Sequence, residues 1–386
     1  MSTETMSAPA KDETLPARPL TLAINGKFKS ARMTGVERYA ENVLQHLVPM
    51  AIRRGHKVIF IGSADPGIPS FSEQSIVKSR IPKSVLGRHV WEQLVLPVFA
   101  LMHEADYLLN LTNTSPVLFA NNVVTLHDVS WLEKPEWFSR SFRAFYSLIT
   151  PLAVKRARSV ITVSNYSREQ IVRHLGNPHK VAVVLEGVGP EFRQSSQADV
   201  LNVLRQFDLR RGYILHVGTL QPRKNLSKLI TAFKRICESS IDPPYLVLAG
   251  GRSAHFADDS LEEEIKSCAY IKQLGYVEDE QLPALYSGAL FTVSASVYEG
   301  FGLTLLEAMA CGCPVTASSI PPYREVADES VLFFDPFNVD SVYSALERLV
   351  TDARLREDLQ RRGFERAKLF RWETHAKQLL STIESM

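Results

Sequence analysis

Residues 213–225 have the sequence Tyr-Ile-Leu-His-Val-Gly-Thr-Leu-Gln-Pro-Arg-Lys-Asn, an apolar run of strand length followed by a turn at Gly218. A helical pattern begins near Asn225, which can cap it. Strand, turn and helix in this order form the repeating unit of a parallel sheet covered by helices. A helix N-terminus attracts anions, and the adjacent Arg223 and Lys224 add two positive charges at the same turn. Together these features suit a diphosphate. The P-loop spacing is absent, and a surface loop with two solvated cations is the competing interpretation.

The same alternation of strand and helix extends from Leu20 to about Asp352. Several apolar runs are nearly continuous, which is typical of parallel strands covered on both faces. The clearest helix is 36–48, whose apolar residues form one stripe. The predicted strands are Leu20–Gly26, Lys57–Gly62, Tyr107–Leu111, Val123–Leu126, Ser159–Val163 and Val181–Leu185, then Tyr213–Val217, Tyr245–Ala249, Ile271–Leu274, Leu290–Ser294, Pro314–Ala317 and Val331–Phe334.

A polar segment without a strong strand, Pro190–Arg210, separates the two arrays. We therefore expect an α/β protein with two doubly wound, Rossmann-like domains that face a central cleft, where ligands bind beyond the carboxyl ends of the strands. The expected divisions are a disordered tail at 1–19, a first domain at 20–190, a linker at 191–210, a second domain at 211–352, and helices at 353–386 that could return to the first domain.

Composition excludes several classes of protein. The 386 residues are 22% charged with a net charge of +2, too weak a field for nucleic acid to be the main partner. The four cysteines all lie in the second half, which argues against a disulfide framework and fits a reducing cytoplasm. Residues 1–19 lack the apolar run of a signal peptide, and the uncharged stretch 107–127 contains too many asparagines for a membrane-spanning helix.

The charge is unevenly distributed along the chain. Residues 1–190 hold 22 basic and 15 acidic side chains, whereas residues 191–386 hold 22 and 27. A basic cluster at positions 78–88 precedes the apolar run Val90–Met102, which Pro97 interrupts. This pattern is compatible with peripheral contact with an anionic membrane, and equally with a solvated face beside a core helix.

A second candidate ligand-binding segment is Glu299-Gly-Phe-Gly-Leu-Thr-Leu-Leu-Glu307, which follows a predicted strand. Its glycines, Gly300 and Gly302, allow close approach of backbone amides to a ligand. The two carboxylates can accept hydrogen bonds from sugar hydroxyls. An acidic first turn stabilised by the helix dipole is the alternative, and it explains Glu307 better than Glu299.

This segment resembles the E-x7-E element of retaining glycosyltransferases of family 4, which have the two-domain GT-B fold. The resemblance covers roughly Leu20 to Phe370. Four other stretches are similar to that family: Met33-Thr-Gly-Val-Glu-Arg-Tyr, His127-Asp128, Thr162-Val-Ser-Asn-Tyr-Ser167 and Gly218 through Asn225. The details after Gly35 and between His127 and Ser167 look most like bacterial mannosyltransferases of polysaccharide assembly.

The resemblance implies a phosphate site built from both domains. The amide of Gly35 would lie on the donor phosphate, and Arg223 and Lys224, in the turn that Gly218 begins, would neutralise the departing diphosphate. Further backbone amides for the sugar and phosphate would come from Phe301, Gly302 and Leu303.

The resemblance also implies the contacts of the sugar and the nucleoside. Glu299 would hold hydroxyls of the transferred sugar and Glu307 the ribose, while Tyr276 and Val277 would flank the base. His127 would lie near the transferred sugar, although a lone histidine at a strand end is often only a satisfied polar residue. Asp128 would face the acceptor.

The expected reaction is transfer of a sugar from a nucleotide donor to a glycan or lipid-linked glycan, with an α linkage. GDP-mannose is the favoured donor, with UDP- and dTDP-sugars next. No DxD, HExxH or Cys/His cluster is present, and Cys311-Gly-Cys313 is expected to be structural, so no metal or other cofactor is expected. A front-face or a double-displacement mechanism, a sugar-nucleotide epimerase, and a non-catalytic sugar-nucleotide binding protein remain open alternatives.

Overall fold

The computed structural model describes residues 18–30, 35–63, 65–251 and 259–386, and these residues form two parallel sheets. The first sheet has seven strands in the order β3-β2-β1-β4-β5-β6-β7. These strands are β1 Thr21–Asn25, β2 Lys57–Gly62, β3 Ile76–Lys78, β4 Tyr107–Asn110, β5 Asn122–Thr125, β6 Ser159–Thr162 and β7 Val181–Val183. Every neighbouring pair is parallel.

The second sheet has six strands in the order β10-β9-β8-β11-β12-β13, and its neighbouring pairs are also parallel. Its strands are β8 Ile214–Val217, β9 Leu246–Ala249, β10 Ile271–Gly275, β11 Phe291–Ser294, β12 Val315–Ser318 and β13 Leu332–Phe334. In both sheets the strand order reverses beside the first strand of the array. Reversals of this kind open a crevice at the carboxyl ends of the strands.

Burial on both faces of the sheets explains their nearly continuous apolar sequences. In β1, Leu22 and Ile24 pack into one hydrophobic cluster and Ala23 into another on the opposite face. The same division occurs in β8, where Ile214 and Leu215 belong to different clusters. Strands β1 and β8 therefore have no solvated face, as expected inside a parallel sheet between two layers of helices.

The helices of the first half are α1 Gly35–Arg53, α2 Val85–Val90, α3 Leu96–Met102, α4 Ser130–Glu133, α5 Arg140–Arg156 and α6 Asn165–Leu175. A π-helical turn, Trp91–Val95, joins α2 to α3. The residues that border this turn have right-handed helical backbone angles, so Pro97 does not end the helix as the sequence suggested. Pro97 lies within the first two positions of α3, directly after the π-helical turn.

The helices of the second half are α7 Gln197–Gln206, α8 Leu226–Ser239, α9 Asp259–Lys266, α10 Leu282–Gly288, α11 Leu303–Ala310, α12 Pro321–Ala327, α13 Val339–Thr351, α14 Ala353–Ala367 and α15 Trp372–Glu384. Helix α7 lies inside the segment 191–210, where the sequence suggested a linker. It is capped by Ser196, buries Val200 and Leu204, and packs against α10. Much of the segment is therefore part of the second domain's packing.

The chain returns to the first half at its last helix. Helix α15 packs along α1, and the hydroxyl of Tyr39 donates to Nε2 of His375 at 3.1 Å. Nδ1 of His375 donates to the carbonyl of Leu185 at 2.9 Å, and Arg54 pairs with Glu384 at 2.7 Å. The first domain is thus completed by residues from the far end of the sequence.

Three further observations concern the described residues. Their helices include none that is both long and apolar enough to cross a membrane. Arg18, in the predicted tail, pairs with Asp106 at 2.8 Å, whereas positions 1–17 of that tail lie outside the described residues. Met33 and Thr34 of the motif at the start of α1 also lie outside them.

Candidate donor site between the two domains

Arg223 and Lys224 lie at the carboxyl edge of the second sheet. Strand β8 ends at Val217, Gly218 follows with φ 151°, and a 3₁₀ turn, Pro222–Lys224, carries both cations. Asn225 adopts a left-handed conformation, and its side chain donates to the carbonyl of Pro336 at 2.8 Å. Asn225 occupies the predicted N-cap position of α8, but its side chain makes no cap hydrogen bond, because its amide anchors the turn to a neighbouring loop instead.

Glu299 is the partner of both cations. Its Oε1 accepts from Nζ of Lys224 at 2.7 Å and from the hydroxyl of Ser296 at 2.8 Å, and its Oε2 pairs with Arg223. Burial by itself would raise the pKa of Glu299, but the two neighbouring positive charges outweigh burial and lower it to about 2. Glu299 is therefore an anion at every physiological pH.

The cations face the first domain rather than the outer surface. Lys224 is buried, and burial lowers its pKa despite the opposing effect of Glu299. The pKa of Arg223 is raised because Glu299, together with Asp128 of the first domain, outweighs the effect of burial. Arg223 pairs with Glu299. The next residue, Gly300, lies against Asp128, so Arg223 lies near the junction of the two domains.

Glycines bring the loops at this edge into close contact. A Cβ at Gly250, which has φ 151°, would lie 2.0 Å from the carbonyl oxygen of Gly218. A Cβ at Gly218 would lie 3.1 Å from Cε of Lys224. The loops after β8 and β9 can therefore meet only as bare backbone, which leaves the lysine room beside Gly218.

The loop from Glu299 to Gly302 touches the first domain. A Cβ at Gly300 would lie 2.4 Å from the carbonyl oxygen of His127, so only glycine fits there. The carbonyl of Gly300 accepts from the hydroxyl of Ser164 at 2.6 Å and from that of Ser167 at 3.0 Å. The sequence singled out the Thr162–Ser167 element without a role, and the structure shows that its two serines hold this loop.

Glu307 is separated from this cluster and has its own partners. It is only 2% exposed, and its Oε2 accepts from the hydroxyl of Tyr286 at 3.0 Å. Its Oε1 pairs at 3.0 Å with Arg38 of the first domain, which also pairs with Asp279. Burial raises the pKa of Glu307, and Arg38 opposes that rise. Sequence reasoning missed Arg38, although it lies inside the quoted motif at the start of α1.

The imidazole of His127 is held within the first domain. Nε2 donates to the carbonyl of Leu111 at 3.1 Å, Nδ1 lies 3.4 Å from Oε1 of Glu186, and the ring packs edge-on against Tyr39. Glu186 is buried and was also missed by sequence reasoning. The neighbouring Asp128 accepts from the backbone amide of Ser130 at 2.9 Å.

The other predicted ligand residues follow strands of the two sheets. Tyr276 is 48% exposed just after β10, whereas the next residue, Val277, is buried. Phe301 is buried against Phe370, and Gly302, with φ 150°, precedes Leu303 at the start of α11. Gly35 begins α1, and a Cβ there would meet no atom of the described residues within 4 Å. The ligand contacts that the resemblance implies for these residues stay predictions.

The cysteines have no ligand-like arrangement. Cys311 and Cys313 are buried free thiols, and Sγ of Cys313 lies 3.2 Å from the hydroxyl of Thr292. Within the described parts of the chain, no group of three or more His, Cys, Asp or Glu side chains is placed to hold a metal ion.

Two facing nucleotide-binding folds, with cations and carboxylates at the junction of their sheet edges, define the GT-B class of enzymes that use nucleotide-activated sugars. Two family models match the chain: glycosyltransferase family 4 over residues 33–192 and glycosyl transferases group 1 over residues 205–366. The chain is also 30% identical over 369 residues to O-antigen chain mannosyltransferase B of Escherichia coli, covering 91% of this chain and 96% of the relative. The protein therefore belongs to the family 4 glycosyltransferases of GT-B fold.

Solved structures agree with this fold. Anabaena HepE in complex with UDP-glucose superposes with a TM-score of 0.75 at 20% identity, covering 95% of this chain and 100% of that one. Sucrose-phosphate synthase from Thermosynechococcus elongatus gives a TM-score of 0.73 at 20% identity, with coverage of 95% and 99%. The expectation of an α/β, GT-B architecture is confirmed.

Proposed function

We propose that the protein is a retaining mannosyltransferase that transfers mannose from GDP-mannose to a glycan or lipid-linked glycan, forming an α linkage without a metal ion. The observation that carries the proposal is the cluster of Arg223, Lys224 and Glu299 at the junction of the domains. Two buried or half-buried cations beside an ionised carboxylate suit a ligand with an anionic diphosphate and a hydroxyl-rich sugar.

The geometry supports separate roles for the two cations and for Glu299 in the reaction. Cleavage of the bond between sugar and diphosphate leaves negative charge on the departing phosphate, and Arg223 and Lys224 would stabilise that charge. Prearranged donors of this kind are typically worth ~2.7–4 kcal/mol each in the transition state. Glu299, released from the cations as the diphosphate pairs with them, would accept hydrogen bonds from sugar hydroxyls.

The choice of donor is supported by the relatives. The match that spans most of both chains is to a mannosyltransferase of O-antigen assembly. A UDP- or dTDP-sugar is the alternative donor, and the Anabaena complex with UDP-glucose supports the shared fold rather than the base. A sugar-nucleotide epimerase is a weaker alternative.

A cytoplasmic location at an anionic membrane surface would suit a lipid-linked acceptor. Large apolar side chains are exposed along α2, the π turn and α3: Val85, Leu86, Val90, Leu94, Val98, Leu101 and Met102. The adjacent helix α5 exposes Leu148 and Leu152. Exposed Lys78, Arg80 and Lys83 lie just before α2 in the chain. Apolar side chains near basic ones are the combination that favours an anionic membrane.

The proposal is tested by turnover with a panel of nucleotide sugars. We expect GDP-mannose to be consumed in the presence of a lipid-linked glycan, activity to survive EDTA, and proton NMR of the product to show an α linkage. Glu299→Gln should lose most of this activity, whereas the surface variant Glu365→Gln should retain it.

Other outcomes separate the alternatives. Turnover of only UDP- or dTDP-sugars would overturn the choice of donor, and loss of activity with EDTA that added metal restores would overturn metal independence. Solvent deuterium entering the sugar without an acceptor would identify an epimerase. If neither a nucleotide sugar nor a nucleoside diphosphate raises the melting temperature at millimolar concentration, the donor site itself is wrong.

A further inference from the structure

Arg38 reaches from the first domain into the second. It lies on the first turn of α1, three residues after Gly35, and its guanidinium pairs with two carboxylates of the opposite domain. One is Glu307 of α11, with Nη1 and Oε1 3.0 Å apart, and the other is Asp279, two residues after Val277. The guanidinium therefore joins α1 to both segments that the family resemblance places around the nucleoside.

The carboxylate of Glu307 is held at both oxygens. Oε1 accepts from Arg38, and Oε2 accepts from the hydroxyl of Tyr286 at 3.0 Å. An ionised carboxylate has about four lone-pair sites, so two remain for further donors. Vicinal hydroxyls such as those of a ribose could use these sites without displacing Arg38 or Tyr286.

Ionisation of Glu307 depends on Arg38. The charged and titratable groups facing Glu307 are Arg38 from α1, Tyr286 from α10 and Asp279 beside α10, together with Lys224 from the turn after β8 and Cys311 on its own helix. Burial raises the pKa of Glu307, and the nearby charge of Asp279 raises it further. The positive charge of Arg38 acts in the opposite direction.

We propose that Arg38 is a positioning residue which the first domain contributes to the nucleoside end of the donor site, where it pairs with Glu307 and orients its carboxylate for the ribose hydroxyls. The proposal rests on the proposed function, because it assumes that Glu307 meets a nucleotide. Arg38 thereby couples recognition of the nucleoside to contact between the domains.

Arg38→Gln tests the proposal without introducing a new charge. With Arg38 removed, the pKa of Glu307 rises. As the pH falls, the variant should therefore lose its affinity for GDP at a higher pH than the wild type does. At mildly acidic pH we expect the Kd for GDP to increase about tenfold or more, with a smaller increase at alkaline pH. Inorganic pyrophosphate, which lacks a ribose, should bind the variant and the wild type equally, as measured by calorimetry or by competition.

Three further variants make the result specific. Arg38→Lys keeps the charge without the planar fork, so it should restore the pH profile but only part of the affinity. Combining Arg38→Gln with Glu307→Gln should remove the part of the pH dependence that Arg38→Gln adds, since the amide at position 307 does not titrate. Arg235→Gln, which breaks an exposed ion pair with Asp340 inside the second domain, should leave both Kd values unchanged.

Contrary outcomes are distinguishable. An Arg38→Gln variant that binds GDP with the wild-type pH profile overturns the proposal, as does one that loses pyrophosphate as strongly as GDP, because the arginine would then act on phosphate. Melting curves check that the variant is folded. If the wild type binds neither GDP nor UDP, the proposed function fails first, and this proposal fails with it.

Discussion

The contact between Lys224 and Glu299 has an energetic consequence for the candidate donor site. Removing two opposite charges from water costs several kcal/mol per ion, which mutual attraction offsets only with good geometry and additional hydrogen bonds. Glu299 receives three such contacts, from Lys224, Arg223 and Ser296. The carboxylate thus stabilises the cations, and in the proposed reaction it would hold them in place until the diphosphate binds.

The variants Arg223→Ala and Lys224→Ala should each lower kcat/KM by roughly 10²–10³-fold, because each removes a contact to charge that develops in the transition state. Glu299 keeps one cationic partner in either variant, so circular dichroism should show an intact fold. Steady-state kinetics with the nucleotide sugar measure the effect. Lys266→Ala, at a side chain that is 79% exposed, is the matched control. Wild-type kinetics in both variants would refute the role of the pair.

Single residues were predictable where a local pattern carries their chemistry. Arg223, Lys224 and Glu299 stand at a strand-to-helix turn or beside a glycine pair, and the structure brings them into contact. Arg38 and Glu186 were missed because their partners lie far away in the sequence, 269 residues away for Arg38 and Glu307. No local spacing encodes such a pair.

At the scale of elements, the loop after β11 is fixed by its close approach to the first domain. Gly300→Ala should therefore lower activity by at least about tenfold, since its Cβ would meet the backbone oxygen of His127 and force the loop away from Ser164 and Ser167. Overpacking of this kind costs about 1–3 kcal/mol. Gly251→Ala is the control, because among the residues that the structure describes no atom lies within 4 Å of a Cβ placed there. Unchanged kcat and KM in Gly300→Ala would show that the contact is dispensable.

Strands and helices were predictable where their apolar pattern was long enough to recognise. Twelve strands, among them β1, β8 and β11, appear within one or two residues of their predicted limits, because continuous apolar runs bury both faces. Strand β3 was missed, since Ile76-Val-Lys is too short to show a period. Helix α7 was hidden in a polar segment, and the helix itself buries only Val200, Val203 and Leu204.

On the scale of the whole molecule, the basic first half and its exposed apolar side chains lead to a binding prediction. Leu94→Asp combined with Leu101→Asp should weaken binding to phosphatidylglycerol-containing vesicles, because both side chains are exposed on the proposed membrane surface. Vesicle sedimentation measures the bound fraction. Binding of the wild type should decrease as the salt concentration rises, since each basic residue near the lipid contributes ~1 kcal/mol by electrostatics. Leu369→Asp, exposed in the segment between α14 and α15, should bind like the wild type. Equal binding by all three proteins would exclude this surface.

The packing of α15 on α1 has a consequence for biosynthesis. Arg54 and Glu384, which pair in the finished protein, are 330 positions apart. At about 5–20 residues per second, a ribosome needs roughly 15–70 seconds to travel from one to the other. Throughout that interval the emerging amino-terminal half exposes the groove on α1 that α15 will fill, so nascent chains at this stage are natural clients for chaperones that shield apolar surface.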